Sequence, residues 1–340
     1  MLVIDCHGHF TSEPAQVAAF RSRQLSALES GDASGVALPV ITDDELVDAV
    51  SGNQLRVMDE RGIDVVLFSP RASAMGHHVS DQRAGEIWTQ LSNDLVYRVC
   101  QLFPNRFAPV GQLPQVPGGD LQPSITELRR CAEQLGFVAV NLNPDPSGGH
   151  WNGRPVTDPY WFPLYEVMED LQIPGMIHVS GSCNPNFHAL GAHYLNADTT
   201  VFMQLLEADL FSRFPGLRFV IPHGGGAVPY HWGRYKGLAA RFDMPPVESL
   251  MGNVFFDTCV YHRPGVQLLV EVVGTQNVLF GSEMLGAVRG VNPDTGSGWD
   301  DTRLYIESLG LDEETRRALY EGNAVRVYPR LERRLRDAGR

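Results

Sequence analysis

The stretch Ile4-Asp5-Cys6-His7-Gly8-His9-Phe10 begins as an apolar run and ends on two imidazoles. Leu2 to Cys6 reads as a β-strand. Alternation along it places Asp5, His7 and His9 on one face, with Ile4, Cys6 and Gly8 on the other. Two imidazoles two residues apart at a strand end can reach one metal ion, and Gly8 leaves room for the backbone to bend. Two polar residues at the start of a loop would look the same, so the remaining strands must decide.

Seven further runs rich in Val, Ile, Leu or Phe follow: Val65 to Ser69, Phe107 to Gln112, Phe137 to Leu142, Gly175 to Val179, Arg218 to Pro222, Val254 to Thr258 and Val278 to Gly281. Near-continuous apolar runs are typical of parallel strands buried on both faces. Helical patterns separate them, such as Ile87, Leu91, Leu95 and Val99, or Leu121, Ile125, Leu128 and Ala132. Asp43-Asp44-Glu45 supplies carboxylates to a helix start. Eight alternations predict an α/β fold, a (β/α)8 TIM barrel over residues 1–340 as one domain, with residues 300–340 as a helical extension. The Gly/Pro/Asn-rich stretches after strands four, five and eight then fall at the barrel's C-terminal face, where such folds place their chemistry. No Gly-x-Gly-x-x-Gly follows the first strand, which argues against a dinucleotide site.

Three more strand ends carry chemistry: Ile177-His178-Val179, Pro222-His223-Gly224-Gly225-Gly226 and Gly281-Ser282-Glu283. One such histidine is ordinarily a core residue bonded to a carbonyl. Four strands ending in His or carboxylate predict a shared metal site at the C-terminal face. His7, His9 and His178 offer nitrogen and Glu283 oxygen. That donor set suits one Zn²⁺ per chain with a position left for water, and Mn²⁺ is a weaker fit. Asp5 is expected behind the ligands. His223 reads either as a further ligand or, preferably, as an acid/base beside the metal. None of the five cysteines is placed to contribute, and their odd, scattered pattern suits a reduced, cytoplasmic protein.

A formal net charge of −13 excludes a general nucleic-acid binder. The arginines at 330, 333, 334, 336 and 340 read as capping and solubilising a terminal helix. No apolar run approaches the roughly 20 residues that span a bilayer, and no secretory signal is read. A homo-oligomer stays open.

As a set, Asp5-x-His7-x-His9, His178, His223-Gly-Gly-Gly and Gly281-Ser282-Glu283 resemble the amidohydrolase superfamily, in the branch of aminocarboxymuconate-semialdehyde decarboxylase. Most members of that branch carry Asp where this chain has Glu283. With the opening Ile4-Asp-Cys-His-Gly-His-Phe10, that departure is similar to the 4-oxalomesaconate hydratase family. The resemblance implies zinc-dependent addition of water to 4-oxalomesaconate, giving 4-carboxy-4-hydroxy-2-oxoadipate in protocatechuate 4,5-cleavage, a route from lignin. Glu283 would ligate metal, accept a proton from water, or both; His223 would protonate the developing enolate or hold its oxygen. The implied partner is a small polycarboxylate, for which Arg71, Asn143, Tyr194, Arg234 and Arg289 are candidate contacts. The alternative is a metal-dependent nonoxidative decarboxylase of an aromatic or muconate-type acid. A lactone or amide hydrolase and a non-catalytic metal-binding scaffold stand behind it.

Overall fold

A computed structural model describes residues 1–31, 36–337 and 339. Arg340 lies outside them. Eight strands, β1 (Ile4–Phe10), β2 (Val65–Pro70), β3 (Phe107–Gln112), β4 (Ala139–Leu142), β5 (Gly175–Ile177), β6 (Phe219–Ile221), β7 (Val254–Asp257) and β8 (Val278–Leu279), form one curled sheet in sequence order. Every neighbouring pair is parallel. Two backbone bonds, Cys6 N–H to Phe280 O at 2.8 Å and Glu283 N–H to His7 O at 2.9 Å, bring β1 against the segment that follows β8.

The apolar strands are explained by burial on both faces. Val65, Leu67, Phe255 and Leu279 belong to an inner cluster, while Val66, Phe68, Phe256 and Val278 pack outward against the helices. Strand and helix alternate because a parallel sheet needs a crossover between successive strands. The helix Gln82–Leu102 carries the Ile87 to Val99 stripe, and the helix Asp43–Val50 starts at a Thr42/Glu45 capping box. Trp161 is buried, with Trp151, Tyr160 and Phe162 packed on the core. No helix among the described residues is long and apolar enough to cross a membrane.

Apart from β3, the strand bounds differ from expectation by a residue or more, and two of the differing ends have a clear cause. β1 continues to Phe10 because its backbone finds partners on both sides, β2 as far as Pro70 and Glu283 N–H at His7. β8 ends after two residues because Phe280 N–H turns to Leu319 O at 3.0 Å. Strict alternation along β1 also fails. The register shifts between Asp5 and Gly8, an extra residue that kinks the strand and re-aims its side chains. Cys6 shares the inner cluster with Ile4, as alternation places it, and the shift brings the next residue, His7, to line the same small internal cavity. Gly8 is required at this bulge, since a Cβ there would collide with Val66.

The terminal helix Pro329–Asp337 is more than a solubilised end. Leu331 and Leu335 sit in the inner cluster with Val327 and Tyr328. Arg334 donates to the carbonyls of Cys100 at 2.8 Å and Phe107, the first residue of β3, at 3.0 Å. Arg330 reaches the carbonyls of Ala132 and Leu171. These guanidinium groups satisfy carbonyls that would otherwise be stranded at the sheet's amino end. Truncating the buried Leu331 to Ala should cost about 2–5 kcal/mol in urea unfolding, with metal content unchanged. A loss below about 1 kcal/mol would mean that the helix does not plug this end.

Candidate metal centre

The centre is assembled from strand ends. His7 and His9 lie within β1, His178 directly follows β5, Asp257 ends β7, and Glu283 comes four residues after β8. One ligand atom each from His7, His9, His178 and Glu283 lies within 4.8 Å of the others, and all four residues are buried.

The outer ring nitrogens decide what the inner ones can do. His178 Nδ1 faces the Val179 carbonyl at 2.9 Å, which can only accept, so the proton sits there and Nε2 is a bare lone pair. His7 Nδ1 donates likewise to Asp257 Oδ2 at 2.7 Å. His9 Nδ1 meets Ser69 Oγ at 2.7 Å. Ser69 can give its own proton to the Gly8 or Pro70 carbonyl while accepting from His9 and Asn141. The three Nε2 atoms then face one another, His7 to His9 at 3.1 Å and His9 to His178 at 3.2 Å. Burial first, then the neighbouring imidazoles, push the pKa of His9 and His178 well below the ordinary value. Three converging lone pairs without a shared proton repel, and a divalent cation removes that conflict. The residues present fit a metal.

Around these four stand groups that the sequence reading does not name as ligands. Burial would raise Asp257's pKa, but His7 and His223 outweigh it and hold the carboxylate below its usual range. Cys259 places Sγ 3.3 Å from His7 Nδ1 and, with His7 and Asp257, forms a second potential metal-binding group. This corrects the expectation that no cysteine is near. Burial, reinforced by Asp257, pushes its thiol pKa well up, which disfavours the thiolate that a metal takes. Among the described residues no hydrogen bond joins Asp5 to an imidazole ring. Its carboxylate accepts from His7 N–H and Ser282 N–H, both at 3.0 Å, and from the Ser282 hydroxyl, tying the bulge of β1 to the turn after β8. Burial raises its pKa to about 6.

His223 stands beside the cluster, its ring centroid 5.4 Å from His7's and 5.5 Å from His178's. Its Nδ1 donates to Asp198 Oδ2 at 2.9 Å, while its buried Nε2 has no hydrogen-bond partner and points 4.0 Å from Glu283 Oε2. Burial opposes its charge, but Asp198, Glu283 and Asp257 outweigh that and raise its pKa to about 9. His223 and Glu283 both hold left-handed backbone, φ 52° and 50°, a strained state for residues with a side chain.

A cavity of about 330 Å³ opens onto His9, His178 and Glu283, and Arg71, Tyr194 and Arg289 stand on its wall. Two candidates are elsewhere. Arg234 lines a separate groove between the helices Ala192–Glu207 and Trp232–Arg241, because the turns after His223 carry the chain onto the outer helix before it is reached. Asn143 is buried and committed internally, donating to His77 Nδ1 at 2.8 Å, with its backbone paired to Gln115. His193, in the first turn of the helix Ala192–Glu207, is fully buried.

The family model described as amidohydrolase matches residues 4–330. The chain belongs to the amidohydrolase family. It is 54% identical over 340 residues, all of this chain and 99% of the relative, to the 2-keto-4-carboxy-3-hexenedioate hydratase of Sphingobium sp. (strain NBRC 103272 / SYK-6). The crystal structure of the 4-oxalomesaconate hydratase of Rhodopseudomonas palustris superposes with a TM-score of 0.91 at 50% identity, covering 99% of each chain. The 2-amino-3-carboxymuconate-6-semialdehyde decarboxylase of Dictyostelium discoideum is 26% identical over 80% of this chain and 74% of its own. These relatives occupy the branch that the motif set from Asp5-x-His7-x-His9 to Gly281-Ser282-Glu283 resembles, with Glu283 as its departure.

Asp257→Asn should weaken metal binding about 10- to 100-fold, because the partner that sets the His7 tautomer is lost. Competition with a chromophoric chelator measures this, and a change under about twofold would contradict the assignment.

Proposed function

We propose that this amidohydrolase is a hydro-lyase that adds water across the double bond of 2-keto-4-carboxy-3-hexenedioate. The observation that carries this reading is full-length identity of 54% to a hydratase of that compound, joined to Glu283 on the cavity wall with His223 Nε2 4.0 Å from its Oε2. In this reading the curled sheet is a closed (β/α)8 barrel. His7, His9, His178 and Glu283 hold one Zn²⁺ at the carboxyl ends of its strands, and residues 300–337 extend the single domain from the loop after β8 to the terminal helix at the opposite end.

A divalent ion held by those four residues acidifies water and draws electrons from carbonyl or carboxylate oxygen. The chain supplies the rest. The alkene is conjugated to the 2-keto group, so the water oxygen bonds C4, the π electrons move towards the ketone as an enolate, and C3 takes a proton. Glu283 is the carboxylate placed to accept the proton that water loses. His223, kept cationic by Asp198, holds a proton at its otherwise unpartnered Nε2 and is placed to deliver it to C3. Arg71 and Arg289 are the cations on the wall for a substrate with three carboxylates, and Tyr194 packs its ring against His178 and His223. Burial of the centre strengthens every one of these interactions.

Loss of the conjugated ultraviolet absorbance of 2-keto-4-carboxy-3-hexenedioate, with the hydrated tricarboxylate as product and no carbon dioxide, is the expected result with metal-loaded protein. Release of carbon dioxide without hydration would favour a decarboxylase instead. His223→Asn should lower kcat about 10²- to 10⁴-fold at unchanged metal content. Retention of activity within threefold would remove His223 from the reaction.

A further inference from the structure

Glu283 is held from two sides. Tyr261 Oη donates to Glu283 Oε2 at 2.5 Å. On the other side, a Cβ on Gly286 would stand 2.8 Å from Glu283 Cγ and 2.9 Å from Cδ, so the absent side chain makes the room this glutamate occupies. Both hydrogen-bonded partners sit on left-handed backbone, Tyr261 at φ 62° and Glu283 at φ 50°. An aromatic residue costs energy there, where glycine or asparagine would not. The helix Arg263–Val273, with proline in its first turn, begins two residues later and fixes the approach of the phenol.

We propose that Tyr261 is a positioning residue for Glu283, and that this pairing is why position 283 carries Glu rather than Asp. Anchoring Oε2 sets the plane of the carboxylate, and with it the direction of Oε1, to which no hydrogen bond runs among the described residues. The anchored oxygen also keeps its 4.0 Å separation from His223 Nε2. An aspartate, shorter by one methylene and so by roughly 1.5 Å, would fall short of the phenol. A hydrogen bond to a charged acceptor in a buried site is among the stronger ones, so the anchor is firm. Tyr261 thus acts through Glu283, the carboxylate it hydrogen-bonds. The kinetic part of this inference rests on the hydratase reading; the metal-binding part does not.

The test is Tyr261→Phe in the full chain, with two readouts. Affinity for Zn²⁺ alone, measured by chelator competition without substrate, should weaken about tenfold. The kcat for 2-keto-4-carboxy-3-hexenedioate should fall about 10- to 100-fold, with KM within twofold. In a Glu283→Asp background the same substitution should change both quantities less than threefold, because the shortened carboxylate no longer reaches the phenol. Unchanged Zn²⁺ affinity and kcat in Tyr261→Phe would overturn the proposal. So would a raised KM at constant kcat, which marks a direct substrate contact, or an equal cost in both backgrounds, which marks action independent of Glu283. If the unmutated protein failed to hydrate the compound, the hydratase reading would fall while the Zn²⁺ affinities still decided the role of Tyr261.

Discussion

Three imidazole nitrogens facing one another at 3.1 and 3.2 Å, their protons turned outward, are the constraint on which this protein depends. Each outward proton has its own acceptor: Asp257 for His7, Ser69 for His9 and the Val179 carbonyl for His178. These acceptors fix the tautomers, and the tautomers create a buried concentration of lone pairs that only a cation relieves. Metal affinity and local stability are therefore coupled, since ligands that repel without the ion attract it when it binds.

The scaffold serves that convergence. The bulge in β1 brings His7 to the inner side along with Cys6, and Asp5 clamps the same strand to the turn after β8. Strain gathers where function is assigned. Of seven non-glycine residues with positive φ among the described residues, four, His223, Tyr261, Glu283 and Leu285, stand on the loops after β6, β7 and β8. The inner cluster and the terminal helix hold the opposite end, where stability has no conflict with chemistry.

Much of this was legible in the sequence, and its limits were physical. Apolar runs revealed the eight parallel strands because burial on both faces leaves few polar positions. His7, His9, His178 and Glu283 were legible because each lies at a strand end, where order along the chain becomes proximity in space. Asp257 carried the same signal at the end of β7 and was there to be found. Asp198 gave none: it sits mid-helix and meets His223 only through packing. The β1 bulge was invisible because an extra residue changes register without changing composition. Arg234 misled because distance along the chain from a strand end says nothing about which way a helix turns. The resemblance to a known family added what spacing could not, a substrate to propose.

The Glu at position 283 distinguishes this chain from the Asp expected in most of its decarboxylating branch, and the surroundings have room for it. Gly286 withdraws, Tyr261 reaches in, and His223 waits on the other side with a proton. The most direct test of the central claim is X-ray absorption at the metal edge of protein loaded with one equivalent of Zn²⁺. Three imidazoles completed by oxygen, with no sulfur, is the result expected of His7, His9, His178 and Glu283. A sulfur neighbour from Cys259, or fewer than three imidazoles, would contradict it.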